Sequence, residues 1–142
     1  MEESVREAYP YLSGKVEDVM TRDPLVVLKS ESLPRLIDVF ARSKFHGLPV
    51  VDKDYALVGV VRDTELMSIF AKRDPSSVRY RTVEDIMRTP PLVISPEETI
   101  QRAVIKMFAD DTRFLVVVDK ERNILGVVTR LDLIRGISWK EE

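Results

Sequence analysis

The sequence predicts a mixed α/β (α+β) fold made of a tandemly duplicated β-α-β-β-α unit, its two copies packed about a pseudo-twofold axis. Three features carry that expectation. Val16-Glu-Asp-Val-Met20 recurs as Val83-Glu-Asp-Ile-Met87, and the offset of 67 holds without a gap. Residues 16–70 laid on 83–137 give 18 identities in 55 positions, a register that chance does not keep. Within each copy the apolar spacing alternates between helical and strand-like patterns. A unit of about 55 residues also lies near the lower limit for independent stability, so each copy needs the other to cover its apolar faces.

The elements follow in the same order in both copies. Short apolar runs at Leu25–Leu28 and Leu92–Ile94, bounded by proline and serine, read as brief strands. Leu33, Leu36, Ile37 and Phe40 are spaced i, i+3, i+4, i+7, and Ile100, Val104, Met107 and Phe108 do the same work in the second copy, so each predicts an amphipathic helix. Leu48–Val51 with Leu57–Val61, and Phe114–Val118 with Ile124–Val128, are β-branched runs joined by short polar segments, which predicts two hairpins. Closing helices are expected over Asp63–Lys72 and Arg130–Ile137.

The organisation is then an N-terminal extension (1–15), a first copy (16–70), a linker (71–82), a second copy (83–137) and a C-terminal tail (138–142). Val5, Ala8, Tyr9 and Leu12 predict one face of a short helix interrupted at Pro10. Pro75 and the two serines after it mark a surface loop. Trp139 is expected to cover a helix end or a dimer contact.

Composition removes several classes of function. No cysteine means no disulfide, thiolate zinc site or cysteine nucleophile, and a single histidine, His46, argues against a multi-histidine metal site or a Ser-His-Asp triad. The 22 basic and 24 acidic residues leave a net charge of −2, which gives no footprint for nucleic acid. No apolar run reaches the roughly 18 residues of a membrane span, and the acidic N-terminus carries no signal-peptide core, so a cytoplasmic chain without membrane contact is expected. Scarce amides (Gln101 and Asn123 alone), about a third charged residues and no cysteine point to a thermophile. No glycine-rich phosphate loop or metal cluster stands in the chain, and no enzyme is expected. Glu17-Asp18 and Glu84-Asp85 read as helix-entry polarity, and Asp110-Asp111 as a solvated loop run.

The sharpest chemical signal is Gly126-Val-Val-Thr129-Arg-Leu-Asp132, which sets a hydroxyl and a carboxylate on one side of a helix's first turn. Two readings stand side by side. Thr-x-x-Asp forms a capping box that bonds its own backbone; the same carboxylate, with two oxygens, matches the two donors of a vicinal diol. At the equivalent positions the first copy carries Arg62 and Glu65, a bulky cation and a longer acid.

Val-Glu-Asp-Ile-Met, then Pro-Leu-Val, then Pro-Val-Val-Asp in the first copy, then Gly-Val-Val-Thr-x-x-Asp-Leu in the second, resembles the CBS domain, and two copies in tandem resemble a CBS pair, or Bateman module, over about residues 16–137. The resemblance implies a regulatory module that binds an adenosine-containing ligand: AMP foremost, ADP or ATP next, S-adenosylmethionine behind them. It also implies a homodimer and a separate, unidentified protein effector. In the family pattern the aspartate accepts both ribose hydroxyls, the hydroxyl residue touches ribose or phosphate, and the cleft is built across copies. Carried over, Thr129, Asp132, Arg113 and Arg130 face Thr21, Arg22, Leu25, Phe45, His46 and Gly47. Arg113 suits phosphate through its planar donor fork. Gly47 stands where the family pattern places a phosphate-side arginine, so His46 is open to a structural as well as a ligand role. Leu25 and Phe45 are expected in the core first. The cleft of Arg62 and Glu65 departs from the pattern, which implies weak, altered or no binding there, and Arg62 is open to a local salt bridge as well as a phosphate role. The competing reading is a ligand-independent dimeric scaffold in which Thr129 and Asp132 only cap a helix.

Overall fold

The computed structural model describes residues 8–71 and 79–141. Val5, Lys72 and the loop at Pro75 lie outside the described residues. In chain order the elements are β1 (Ala8–Leu12), α1 (Val16–Val19), β2 (Thr21–Arg22), β3 (Val27–Leu28), α2 (Leu33–Arg42), β4 (Gly47–Val51), β5 (Leu57–Arg62), α3 (Asp63–Ala71), a 3₁₀ turn (Val83–Asp85), β6 (Val93–Ile94), α4 (Ile100–Ala109), β7 (Phe114–Val118), β8 (Ile124–Thr129), α5 (Arg130–Arg135) and β9 (Ile137–Glu141).

Each copy builds the same sheet. β3 runs parallel to β4 and β4 antiparallel to β5; β6 runs parallel to β7 and β7 antiparallel to β8. The hairpin turns are duplicates: Asp52 accepts from the Ala56 amide through Oδ1 at 3.0 Å, and Asp119 accepts from the Asn123 amide at 2.8 Å. Asn123 holds the Asp119 carboxyl below its ordinary pKa through these bonds. Both amphipathic helices enter on a hydroxyl cap, Ser32 accepting from Arg35 N–H and Thr99 from Arg102 N–H.

The copies exchange their leading segments. β2 of the first copy pairs antiparallel with β8 of the second, Thr21 opposite Val127, and its counterpart is a single bridge from Val60 to Arg88. Lys15 bridges Thr99 while Ser32 bridges Thr82, a pair related by the same offset of 67 positions. Val16 is buried in the second copy's core with Ile100, Leu115 and Val117, and Val83 in the first copy's core with Leu36, Leu48 and Val50. Each small core is completed by a residue of the other copy, which is why neither half needs to be stable alone.

Two expectations are corrected. Ala8–Leu12 is a strand, not a helix, and pairs antiparallel with β9, Pro10 opposite Trp139. Tyr9 and Tyr11 favour a strand, and a proline is tolerated on an edge. The chain after Arg135 does not continue the closing helix or form a tail: Gly136 ends α5, and Ile137 begins β9. Trp139 lies on this ribbon and is exposed.

Candidate functional site

The cleft between the copies is set by two glycines. A Cβ on Gly126 would stand 2.3 Å from the Thr21 carbonyl oxygen, so only glycine lets β2 lie against β8. That pairing brings the Thr21 hydroxyl to the Asp132 carboxylate, 3.3 Å from Oδ1 and 3.4 Å from Oδ2. A Cβ on Gly47 would stand 2.2 Å from the Phe114 ring, so Gly47 admits that ring between the copies.

Asp132 is only 5% exposed. Its Oδ2 accepts from Thr129 N–H at 2.9 Å, and Thr129 Oγ1 accepts from Asp132 N–H at 3.2 Å, so the capping box is formed. The cap and a ligand role are compatible. A carboxylate offers about four acceptor positions, and the chain supplies two donors, Thr129 N–H and the Thr21 hydroxyl.

Beside this carboxylate a cleft of about 400 Å³ is walled by Thr21, Phe45, His46 and Gly47 from the first copy and by Arg113, Phe114, Val127, Thr129, Arg130, Leu131 and Ile134 from the second, with Lys44 at its edge. A narrower, polar hollow of about 160 Å³ adjoins it and shares His46, Arg113, Phe114 and Arg130. The backbone fixes this end symmetrically. Asp63 N–H donates to the His46 carbonyl at 2.9 Å, and Arg130 N–H to the Arg113 carbonyl at 3.0 Å. His46 Nδ1 lies 3.3 Å from Asp63 Oδ2. An apolar wall, a buried carboxylate and a basic end together match a ligand with a flat ring, a polyol and an anionic group. Wider hollows exist, about 820 Å³ along α2 and α3 and about 510 Å³ beside β6 and α4. The first is an open apolar face, and neither gathers a buried acid with a basic end.

Of the residues singled out from sequence, Thr21, Phe45, His46, Gly47, Arg113, Thr129 and Arg130 line the cleft, and Asp132 is bonded to two of them. Arg22 and Leu25 do not line it. Leu25 and Phe45, expected in the core, are 46% and 45% exposed, because the strand of this copy begins only at Val27 and Phe45 lies in the loop before β4. Sequence reasoning missed Lys44, Phe114, Val127, Leu131 and Ile134. A signal for Phe114 was present: it aligns with Gly47, an exchange of the largest for the smallest side chain between copies.

The first copy's equivalent position is filled. Glu65 Oε1 accepts from Arg62 N–H at 2.8 Å, the same cap that Asp132 makes, and the Arg62 side chain closes on the same carboxylate through Nε at 2.8 Å and Nη2 at 2.5 Å. The bond to Glu65 raises the Arg62 pKa above its ordinary value. Among the described residues no group of three or more acidic or histidine side chains is placed to hold a metal, and no helix is long and apolar enough to cross a membrane.

Comparison with known proteins agrees with this architecture. The family model of the CBS domain matches residues 16–72 and again 83–138. A crystal structure of CBSX2 in complex with AMP is 30% identical, covering 85% of this chain and 93% of that one at a TM-score of 0.76; CBSX2 is a protein of Arabidopsis thaliana. The CBS domain pair of protein MJ0100, in complex with 5-methylthioadenosine and S-adenosyl-L-methionine, shares the fold at a TM-score of 0.76 and 24% identity over 87% of this chain and 94% of that one. An uncharacterized protein of Methanocaldococcus jannaschii is 26% identical over 86% of this chain and 90% of its own length. By contrast, the chain spans only 24% of the homoserine O-acetyltransferase of Methanohalobium evestigatum, to which it is 30% identical over 86% of its length. With the family model matching both copies, leading segments exchanged and a cleft between them, the chain belongs to the CBS-domain family.

Proposed function

We propose that this chain is a regulatory adenine-nucleotide-binding module that takes AMP foremost, or ADP or ATP, in the Asp132 cleft and reports energy or metabolite state to a protein effector. The observation that carries the reading is the buried Asp132 carboxylate, which keeps acceptor capacity beyond its cap and is bonded to Thr21 and Thr129 in the wall of a cleft with a basic end. The AMP complex of CBSX2, 30% identical over nearly the whole of that chain, supports the same ligand class here. In this assignment the two ribose hydroxyls donate to Asp132, the adenine lies along Phe45, Val127 and Ile134, and the phosphate meets Arg113 and Arg130. The ligand changes the module's output only by its differential affinity for two states. Calorimetric titration with AMP, ATP and S-adenosylmethionine, beside Asp132→Ala, tests it. One adenosine ligand near one site per chain, lost in the variant, is the expected result.

A second reading, a ligand-independent dimeric scaffold, draws on one observation. Ile37, Met67 and Phe70 on α2 and α3, and Phe108, Leu131 and Ile134 on α4 and α5, leave two exposed apolar faces related by the repeat. Homodimer formation through these faces belongs to both readings. A stable dimer that ignores all three ligands would favour the scaffold.

A further inference from the structure

The two clefts have diverged in a way that joins them. In the second cleft the Arg62 guanidinium satisfies the Glu65 carboxylate through Nε and Nη2 and still has Nη1 free to donate to the Asp111 carbonyl at 2.8 Å. Both side chains are nearly buried, 11% and 12% exposed. Arg88, which stands where the open cleft has Thr21, donates from Nη1 to the neighbouring Asp110 carbonyl at 3.0 Å. Asp111, with φ of +49°, is the left-handed residue that ends α4, and Thr112 N–H donates back to the Met107 carbonyl at 3.0 Å, so the Arg62 bond adds to a loop already turned by the helix end. Two residues further on stands Arg113, which lines both hollows and whose carbonyl accepts from Arg130 N–H.

We propose that Arg62 is a built-in occupant of the second cleft and a positioning residue for the first. It takes the carboxylate that a ribose would need there, so the chain binds one nucleotide. Through Asp111 it holds the loop that delivers Arg113 to the phosphate end of the open cleft. The fork of a guanidinium is needed because three donors act in different directions at once, which an ammonium on a flexible stem does not reproduce. The second part rests on the phosphate role given to Arg113 above.

The test uses the full chain, with Arg62→Ala and Arg62→Lys beside wild type. AMP and adenosine affinities are measured by calorimetry, and amide hydrogen exchange is followed at residues 111–114 without nucleotide. Wild type is expected to bind one AMP per chain. Arg62→Ala is expected to weaken AMP about tenfold, the size of one lost charge-assisted contact, while adenosine, which lacks the phosphate, stays within about twofold. Arg62→Lys should follow Arg62→Ala. Exchange at 111–114 should rise about tenfold in Arg62→Ala, as a loop released from one strong bond would show.

Two AMP per wild-type chain would overturn the occupant, and equal losses for AMP and adenosine, or none, would overturn the positioning role. If wild type binds neither ligand, the proposed function fails and takes the binding arm with it. The exchange measurement then decides the latch alone: faster exchange supports it, and unchanged exchange overturns it.

Discussion

Replacing Asp132 by asparagine separates the cap from the ligand role. The carboxylate receives two donors from the chain, Thr129 N–H at 2.9 Å and the Thr21 hydroxyl at 3.3 Å, and about two acceptor positions remain for a ribose diol. Asparagine is nearly isosteric and keeps one carbonyl oxygen, which those two donors consume. The remaining NH2 can only donate, so two charge-assisted bonds from ribose, about 1.5–3 kcal/mol each, become at best two neutral ones from that NH2 to the hydroxyl oxygens, about 0.5–1.5 kcal/mol each. The net loss is about 2–3 kcal/mol, or roughly 30- to 150-fold in the AMP dissociation constant. Stability should change far less, since Thr129 Oγ1 still accepts from the residue 132 amide; about 1 kcal/mol, or roughly 2–4 °C in Tm, bounds the effect. Thr129→Ala is the complementary change: it removes the cap hydroxyl, costs about 1 kcal/mol of stability and leaves the carboxylate in place. Calorimetry with AMP and a thermal melt read the two effects apart. An Asp132→Asn protein that melts like wild type and binds AMP within threefold would refute the reasoning, and the carboxylate would be a cap and nothing more.

Gly126→Ala should destabilise the fold and abolish AMP binding together, because the new methyl meets the Thr21 backbone at 2.3 Å and β2 must leave β8; about 1–3 kcal/mol by urea unfolding is expected, and a neutral substitution would contradict the geometry. Leu36→Ala, at a fully buried position, should cost about 2–5 kcal/mol in the same assay. Phe108, 77% exposed on α4, should behave oppositely: Phe108→Glu leaves the melting temperature nearly unchanged and, in the proposed dimer through this face, lowers the mass in sedimentation equilibrium; a variant that sediments like wild type would remove α4 from that proposed face. Asp85 accepts from the Arg81 and Thr82 amides, which holds its pKa below the ordinary value. A depressed folded pKa contributes stability that is present above the unfolded value near 4 and is lost as pH falls through the folded one. Asp85→Asn should therefore flatten the decline of stability below about pH 4 in acid titrations followed by circular dichroism, and an unchanged profile would show that the cap carries no net proton linkage.

The duplication and the elements inside each copy were legible because their causes are local. Ser32 and Thr99 cap the helices they precede, Asp52 and Asp119 close turns within four residues, and the continuous apolar runs of Leu48–Val51 and Phe114–Val118 follow from strands buried on both faces. The β1–β9 ribbon was not legible, because the partner of Ala8–Leu12 lies at the other end of the chain and Pro10 reads as a helix interruption beside the strand-favouring Tyr9 and Tyr11. Phe45 misled for a related reason: an apolar side chain was assigned to a core, yet the wall of a cleft between two copies needs the same residue type and leaves it open to solvent, while Leu25 is exposed because it precedes the strand that begins at Val27.

The site divides along the same line. Thr129 and Asp132 could be picked out because the capping box is itself a sequence pattern, whereas Lys44, Leu131 and Ile134 reach the cleft only through the packing of one copy on the other. What no pattern within a single copy contains is the asymmetry. It arises from three exchanges at equivalent positions: Thr129 against Arg62, Gly47 against Phe114, and Thr21 against Arg88. In each exchange the larger side chain stands at the second cleft's equivalent position, although the Phe114 ring also lines the open cleft beside Gly47. Arg62 closes on Glu65, the Phe114 ring packs where Gly47 leaves room, and Arg88 ties down the loop at Asp110. Together they turn a pseudo-symmetric pair of sites into one open cleft and one closed support, and the loop from Asp110 to Arg113 belongs to both.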